Sequence, residues 1–217
     1  MDIGRAFSYI FEDEDWVSKV VVTAFVALIP IVNFALFGWT VALISQMLDG
    51  YDRPMPGWDD FGEKFSDGLI YFVASLIYNI PVVLVICVLG GVSTMFGNSN
   101  SLAAMMTLTA CCLGVGIVVY ALVANAMLFI GTVRYSRQRR FDVFMQFGEN
   151  FNLAREHLDT LIVLGLFSLL AGAIFAMFGW VPCIGWVLAL ALGTPVLSHL
   201  QGQAAVQIVA KRKRGAV

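Results

Sequence analysis

An all-α integral membrane protein is what three features of this sequence predict, with about six transmembrane segments paired as three helical hairpins, each preceded by an amphipathic interfacial helix. The first feature is composition: 59% of the 217 residues are hydrophobic and 13% are charged, with a mean hydropathy of +0.84. A water-soluble domain carries about 25% charged residues, so this chain lacks the polar surface to cover a soluble globule. The second is charge segregation, since residues 20–48, 68–133 and 160–210 contain no Asp, Glu, Lys or Arg. The third is a Phe-x-x-x-Phe segment ahead of each charge-free run, at Phe7 and Phe11, Phe61 and Phe65, and Phe147 and Phe151.

A helix needs roughly 20 apolar residues to cross a ~30 Å hydrocarbon core, so the second and third runs each hold two crossings. Turn-forming residues divide them, Gly97-Asn98-Ser99-Asn100-Ser101 in one and Val181-Pro182-Cys183-Ile184-Gly185 in the other. The first run would span about 44 Å as a helix, long for one crossing and short for two. Pro30, near its middle, marks either a tight turn or a kink. A turn there puts all 13 Lys and Arg on one side, which the positive-inside rule makes cytoplasmic. A single long helix instead gives five crossings, with Arg5, Lys19 and the acidic run Glu12-Asp13-Glu14-Asp15 on the opposite face. The hairpin is the favoured reading. The expected segments are 17–29, 32–48, 68–93, 102–131, 159–180 and 184–209, with both termini cytoplasmic. The polar first sixteen residues do not read as a cleavable signal peptide.

Residues four apart share a helix face. Trp58, Phe61, Phe65 and Leu69 therefore form an apolar stripe, with Asp59, Asp60, Glu63 and Asp67 elsewhere. Phe144, Phe147 and Phe151 repeat the geometry. Trp58, Phe61, Phe65, Phe147 and Phe151 are the expected interfacial anchors, dipping into the acyl boundary from helices around 4–12, 57–66 and 139–151. The chain thus reads as one membrane domain, 1–217, made of repeat-like units 1–50, 51–134 and 135–210 and a basic tail, 211–217. Arg134, Arg137, Arg139 and Arg140, like Lys211 to Arg214, either set topology or attract anionic lipid.

The run Pro56-Gly57-Trp58-Asp59-Asp60-Phe61-Gly62, with Asp67-Gly68, Asp13-x-Asp15-Trp16 and Ile29-Pro30, resembles a prokaryotic family of polytopic membrane proteins classed as a domain of unknown function. The resemblance covers nearly the whole chain and implies a prokaryotic cytoplasmic (inner) membrane. It implies no activity and no catalytic residues.

The residues themselves offer little chemistry. A hydrolase elbow, a P-loop, a dinucleotide fingerprint and His-Glu-x-x-His are all missing. Ion-coupled carriers place ionisable groups inside the bundle, and the charge-free runs hold none but His199. Gly185, Ala189, Gly193, His199, Gln203 and Gln207 fall on one arc of the last helix, which reads as a packing or polar face: small residues permit close approach and polar ones bond across helices. A haem or metal ligand would need partners, and His157 lies near the interface, so no cofactor and no metal is expected. Ser75, Asn79 and Asn125 read as interhelical hydrogen-bond partners. Cys87, Cys111, Cys112 and Cys183 lack Cys-x-x-Cys spacing and read as small hydrophobes. The expected function is a non-enzymatic accessory or scaffold subunit packing against partner proteins, another copy of itself or lipid, with no nucleic acid. The alternative is a transporter or translocase for an apolar or uncharged substrate, which a polar cavity around His199 and Asn125 would favour.

Overall fold

Helices make up all the regular structure among the described residues of the computed structural model, which are 1–52, 54–96, 100–180 and 185–215, with side chains described except for 89–112 and 215. The order is α1 (Ile3–Glu12), α2 (Trp16–Leu28), a 3-10 turn (Val32–Phe34), α3 (Ala35–Asp49), α4 (Phe61–Phe96), α5 (Asn100–Gln138), α6 (Asp142–Met145), α7 (Phe147–Glu156), α8 (Leu158–Phe178) and α9 (Gly185–Gly215). The predicted turns at 97–101 and 181–185 fall largely outside the described residues, as do the side chains of Cys111, Cys112 and Cys183.

Among the described residues four segments are long and apolar enough to cross a membrane: Val32–Asp49, Phe61–Val88, Leu113–Gln138 and Leu158–Phe178. The chain accordingly reads as a membrane protein. α2, with 13 residues, covers about 20 Å, less than a ~30 Å core. α9 is 31 residues long but carries Thr194, Ser198, His199, Gln201 and Gln203, which lower its hydropathy.

Those polar groups are tolerable because α9 is central, with α1, α2, α3 and α8 all packed on it. Its neighbours settle its faces. Thr40 of α3 lies 2.8 Å from Ser198, and Leu43 and Met47 pack at Gly202, so α3 and α9 run in the same direction. Phe175 of α8 packs at Gly193, and Lys211 bonds Asp159, so α8 runs against α9.

α3 and α4 touch backbone to backbone. A Cβ on Gly38 would overlap the Lys64 carbonyl, and one on Gly68 would overlap the Phe34 carbonyl. Small residues at a crossing let helices approach this closely, which compensates for the missing hydrophobic drive between helices in lipid. Phe34 stacks on Phe72 at 4.4 Å and Phe37 on Tyr71 at 5.0 Å, extending the contact beyond the glycines. Gly50, at φ 81, then ends α3 in the left-handed conformation that glycine adopts without a Cβ clash.

The charged segments meet at one end of the bundle. Lys19 bonds Asp13 at 2.6 Å and the Met55 carbonyl at 2.9 Å. Arg137 pairs with Asp49, Arg139 with Asp67 and Glu63, and Lys211 with Asp159. Both ends of the segment 19–49 therefore lie among the ion pairs, as a turn near Pro30 requires.

The three expected interfacial helices are not equivalent. α1 lies along α9: Tyr9 donates to the Pro195 carbonyl at 2.9 Å and stacks on His199 at 4.1 Å, while Phe7 stacks on Phe175 at 5.8 Å. Ala6, Tyr9 and Ile10 on this helix are thus covered by protein, while Phe11 is 61% exposed. The segment 57–66 is no separate helix, because α4 starts at Phe61 and continues unbroken into its apolar part. The third segment forms two short helices, α6 and α7, and Phe147 and Phe151 on α7 are both exposed.

Candidate functional site, a polar cavity between helices

Tyr71 lies where two polar-lined cavities meet. Between α3, α4, α5 and α9 lies a cavity of about 560 Å³, lined by apolar side chains and by Asn33, Thr40, Ser75, Thr132, Thr194, Ser198 and Gln201 as well as Tyr71. A second cavity of about 330 Å³ opens beside it toward α8, lined in part by Asn125 and Ser168. The two share Tyr71, Thr132 and Gln201. Neither is lined by any Asp, Glu, Lys, Arg or His.

Helix spacing explains the α9 contribution. Thr194, Ser198 and Gln201 recur at i, i+4 and i+7, which is one face of a helix. The hydroxyls divide into occupied and free groups. Thr40 donates to the Leu36 carbonyl at 3.0 Å, so the 2.8 Å contact with Ser198 has Ser198 as donor. Thr132 donates to the Leu128 carbonyl at 2.8 Å. The Tyr71 hydroxyl and the Gln201 amide have no hydrogen-bond partner among the described residues. Polar groups left open in an apolar wall are costly unless something bonds them. A ligand pocket has this make-up: volume in the ~300–1,000 Å³ range, mostly apolar lining and a few convergent polar groups.

The family model described as "Protein of unknown function (DUF4013)" matches residues 22–184, more than half of the chain. The chain belongs to the DUF4013 family. The DUF4013 match takes in α3, α4, α5 and α8, and so most of the helices that wall the cavity, while the polar stripe of α9 lies beyond it. No curated protein and no solved structure matches the chain.

The arc proposed on α9 is divided between two neighbours. Gly193 faces the Phe175 ring of α8, where a Cβ would sit 3.3 Å from it, and Ala189 packs on the apolar core. His199 and Gln203 face α1 instead. Gln203 accepts from the Asp2 backbone N–H at 2.6 Å and donates to the Asp2 carbonyl at 2.8 Å, and it lies 3.1 Å from His199 Nδ1. Gly185 is buried and Gln207 is partly buried. Of the residues read as a potential polar cavity, Asn125 is in the second chamber and His199 lines neither. Asn79 and Asn125 donate to Ser75 and Ala121 carbonyls of their own helices, both at 2.8 Å, and not across to a neighbour.

Two hydrogen bonds fix the segment around Trp58. Trp58 donates to the Lys19 carbonyl at 3.3 Å, and Trp39 donates to the Pro56 carbonyl at 2.9 Å, tying the start of α4 to α2 and α3. Trp58 is half-buried and Phe65 partly buried, while Phe61 is more exposed. Sequence reasoning missed Tyr71, Thr132 and Gln201. The i, i+4, i+7 stripe of α9 was a signal for Gln201. Nothing in the sequence singles out one tyrosine on α4 or one threonine on α5.

Proposed function

We propose that the chain is a non-enzymatic, multi-pass protein of a prokaryotic cytoplasmic membrane that binds an uncharged, partly polar solute in this cavity and passes it unchanged. The open Gln201 amide, standing with the Tyr71 hydroxyl where the two chambers join, carries the reading. A neutral solute bonds such groups without the desolvation that an ion would suffer beside no counter-charge. Six membrane segments with both termini cytoplasmic fit the same picture, with α2 as the short arm of the first hairpin. The ion pairs that gather residues 13 and 19, 49, 63 and 67, 137 and 139, and 159 and 211 support that topology.

Proteoliposomes test the transport step. Over a panel of uncharged solutes led by glycerol, with potassium as the charged control, at least one uncharged solute should enter faster than into protein-free vesicles, and potassium should not. Gln201→Leu should abolish the difference while leaving folding intact, since the Gln201 amide bonds no other described residue. Entry of every solute at the protein-free rate would contradict the proposal.

A second reading, a scaffold packing on partner proteins or on another copy, draws on the outer halves of α4 and α5. These helices have 36 and 39 residues against 21 in α8, and Leu84, Val88, Val115 and Val119 on them are exposed. Protein-free solute entry together with a stable oligomer would favour it.

A further inference from the structure

Arg134, Arg137, Arg139 and Arg140, at the end of α5 and just beyond it, read in sequence as setting topology or attracting anionic lipid, and in the structure each is committed to protein. Arg134 bonds Asn150 at 2.7 Å and Glu149 at 2.8 Å. Arg137 and Arg139 hold Asp49 and Asp67, and Arg140 holds Asp142 at 2.9 Å. Arg155, in the last turn of α7, is different. It is exposed and has no hydrogen bond or ion pair among the described residues.

Arg155 stands at one end of an apolar groove of about 640 Å³ between α5, α7 and α8. Its walls include Val123, Phe151, Leu158, Ile162, Leu166 and Leu169, and Arg155 is the only charged residue among them. Along α8 the wall from Leu158 to Leu169 is about 17 Å long at ~1.5 Å per residue. One leaflet of a ~30 Å hydrocarbon core is about 15 Å deep. The groove thus has the length of one acyl chain, with a free cation where the headgroup begins.

We propose that this groove holds one acyl chain of an anionic phospholipid whose phosphate lies against the Arg155 guanidinium. The proposal requires α5 and α8 to cross the bilayer. It does not require the polar cavity to pass anything, and Ile162 lines the groove but neither chamber of that cavity.

The test uses the full chain in bilayer discs of equal phosphatidylglycerol and phosphatidylcholine, extracted into mild detergent, with retained lipid counted by native mass spectrometry. The unmodified chain should retain phosphatidylglycerol in preference. Arg155→Gln should lower the ratio of the two lipids about five-fold, the factor for one basic residue at an anionic surface. Ile162→Trp should empty the groove of both lipids, because the larger ring occupies the chain's place from a position already 59% exposed. Equal retention of the two lipids by the unmodified chain would overturn the proposal, as would an unchanged ratio in Arg155→Gln. Undiminished retention in Ile162→Trp would overturn the groove as its seat.

Discussion

Replacing Gly68 by alanine should cost about 3 kcal/mol of stability, since overpacking a close contact costs roughly 1–3 kcal/mol and this one has no soft partner. The added methyl would meet the Phe34 carbonyl, and the nearest atoms beyond it are also backbone. A side chain can rotate away from such a clash, but the Phe34 carbonyl, at the junction of the 3-10 turn and α3, cannot move without the start of the helix. Gly38→Ala, against the Lys64 carbonyl, should behave alike. The double variant should cost less than the sum of the two, because the first substitution already parts the helices. Gly165→Ala is the control: a Cβ there meets nothing within 4 Å, and alanine is the better helix former by about 1 kcal/mol. Thermal unfolding in detergent, followed by loss of monodisperse protein, reads all four. A Gly68→Ala chain as stable as the Gly165→Ala control would show that α3 and α4 do not meet at these glycines.

Asp67→Ala should destabilise the chain by about 2–3 kcal/mol. Asp67 is only 6% exposed at the start of α4, accepts from the Tyr135 hydroxyl at 2.7 Å and pairs with Arg139. Removing the carboxylate leaves the buried Tyr135 hydroxyl without its acceptor, a loss of roughly 1–3 kcal/mol. Arg139 adds less, because its side chain is 40% exposed and water can take over part of the pair. Arg139 also sits at φ 52, in the left-handed region that non-glycine residues seldom occupy, so the ion pair helps to hold the end of α5 in a costly conformation. Tyr135→Phe should cost about 1 kcal/mol alone and almost nothing on top of Asp67→Ala, since the bond it removes is then already gone. Additive losses in that double-mutant cycle would contradict the contact.

The helical apolar runs and the gathering of charge at one end were legible in the sequence because both follow from where water is, whereas the start of α4 at Phe61 and the end of α5 at Gln138 were not. Asp13, Lys19, Asp49, Asp67, Arg137 and Arg139 are excluded from the apolar runs and find one another at the same end. What covers a helix face was not legible. Phe7 and Phe11 flank an amphipathic helix whose pattern is the same whether lipid or α9 lies against it, and the structure supplies α9 for Phe7. His199 and Gln203 read as part of one arc with Gly193, whereas they face α1 and Gly193 faces α8. Gly38 carried no mark among the 20 glycines, and Gly68 stood out only beside Asp67 in the family resemblance, because their packing role depends on two helices crossing at one point. The cavity was hidden for the same reason: Thr40, Tyr71, Thr132 and Gln201 come from four helices, and each is unremarkable alone.

A single labelling experiment bears on both the membrane and the cavity. In a chain with Cys87, Cys111, Cys112 and Cys183 replaced, cysteine is introduced at Gln201 or at Leu166 and treated with a membrane-impermeant thiol reagent in sealed vesicles. Leu166 is 60% exposed while Gln201 is partly buried, so surface area alone favours labelling at 166. A water-reached cavity in a lipid-covered bundle reverses that order: Gln201→Cys is labelled and Leu166→Cys is not. Labelling at Leu166 without labelling at Gln201 would contradict the account.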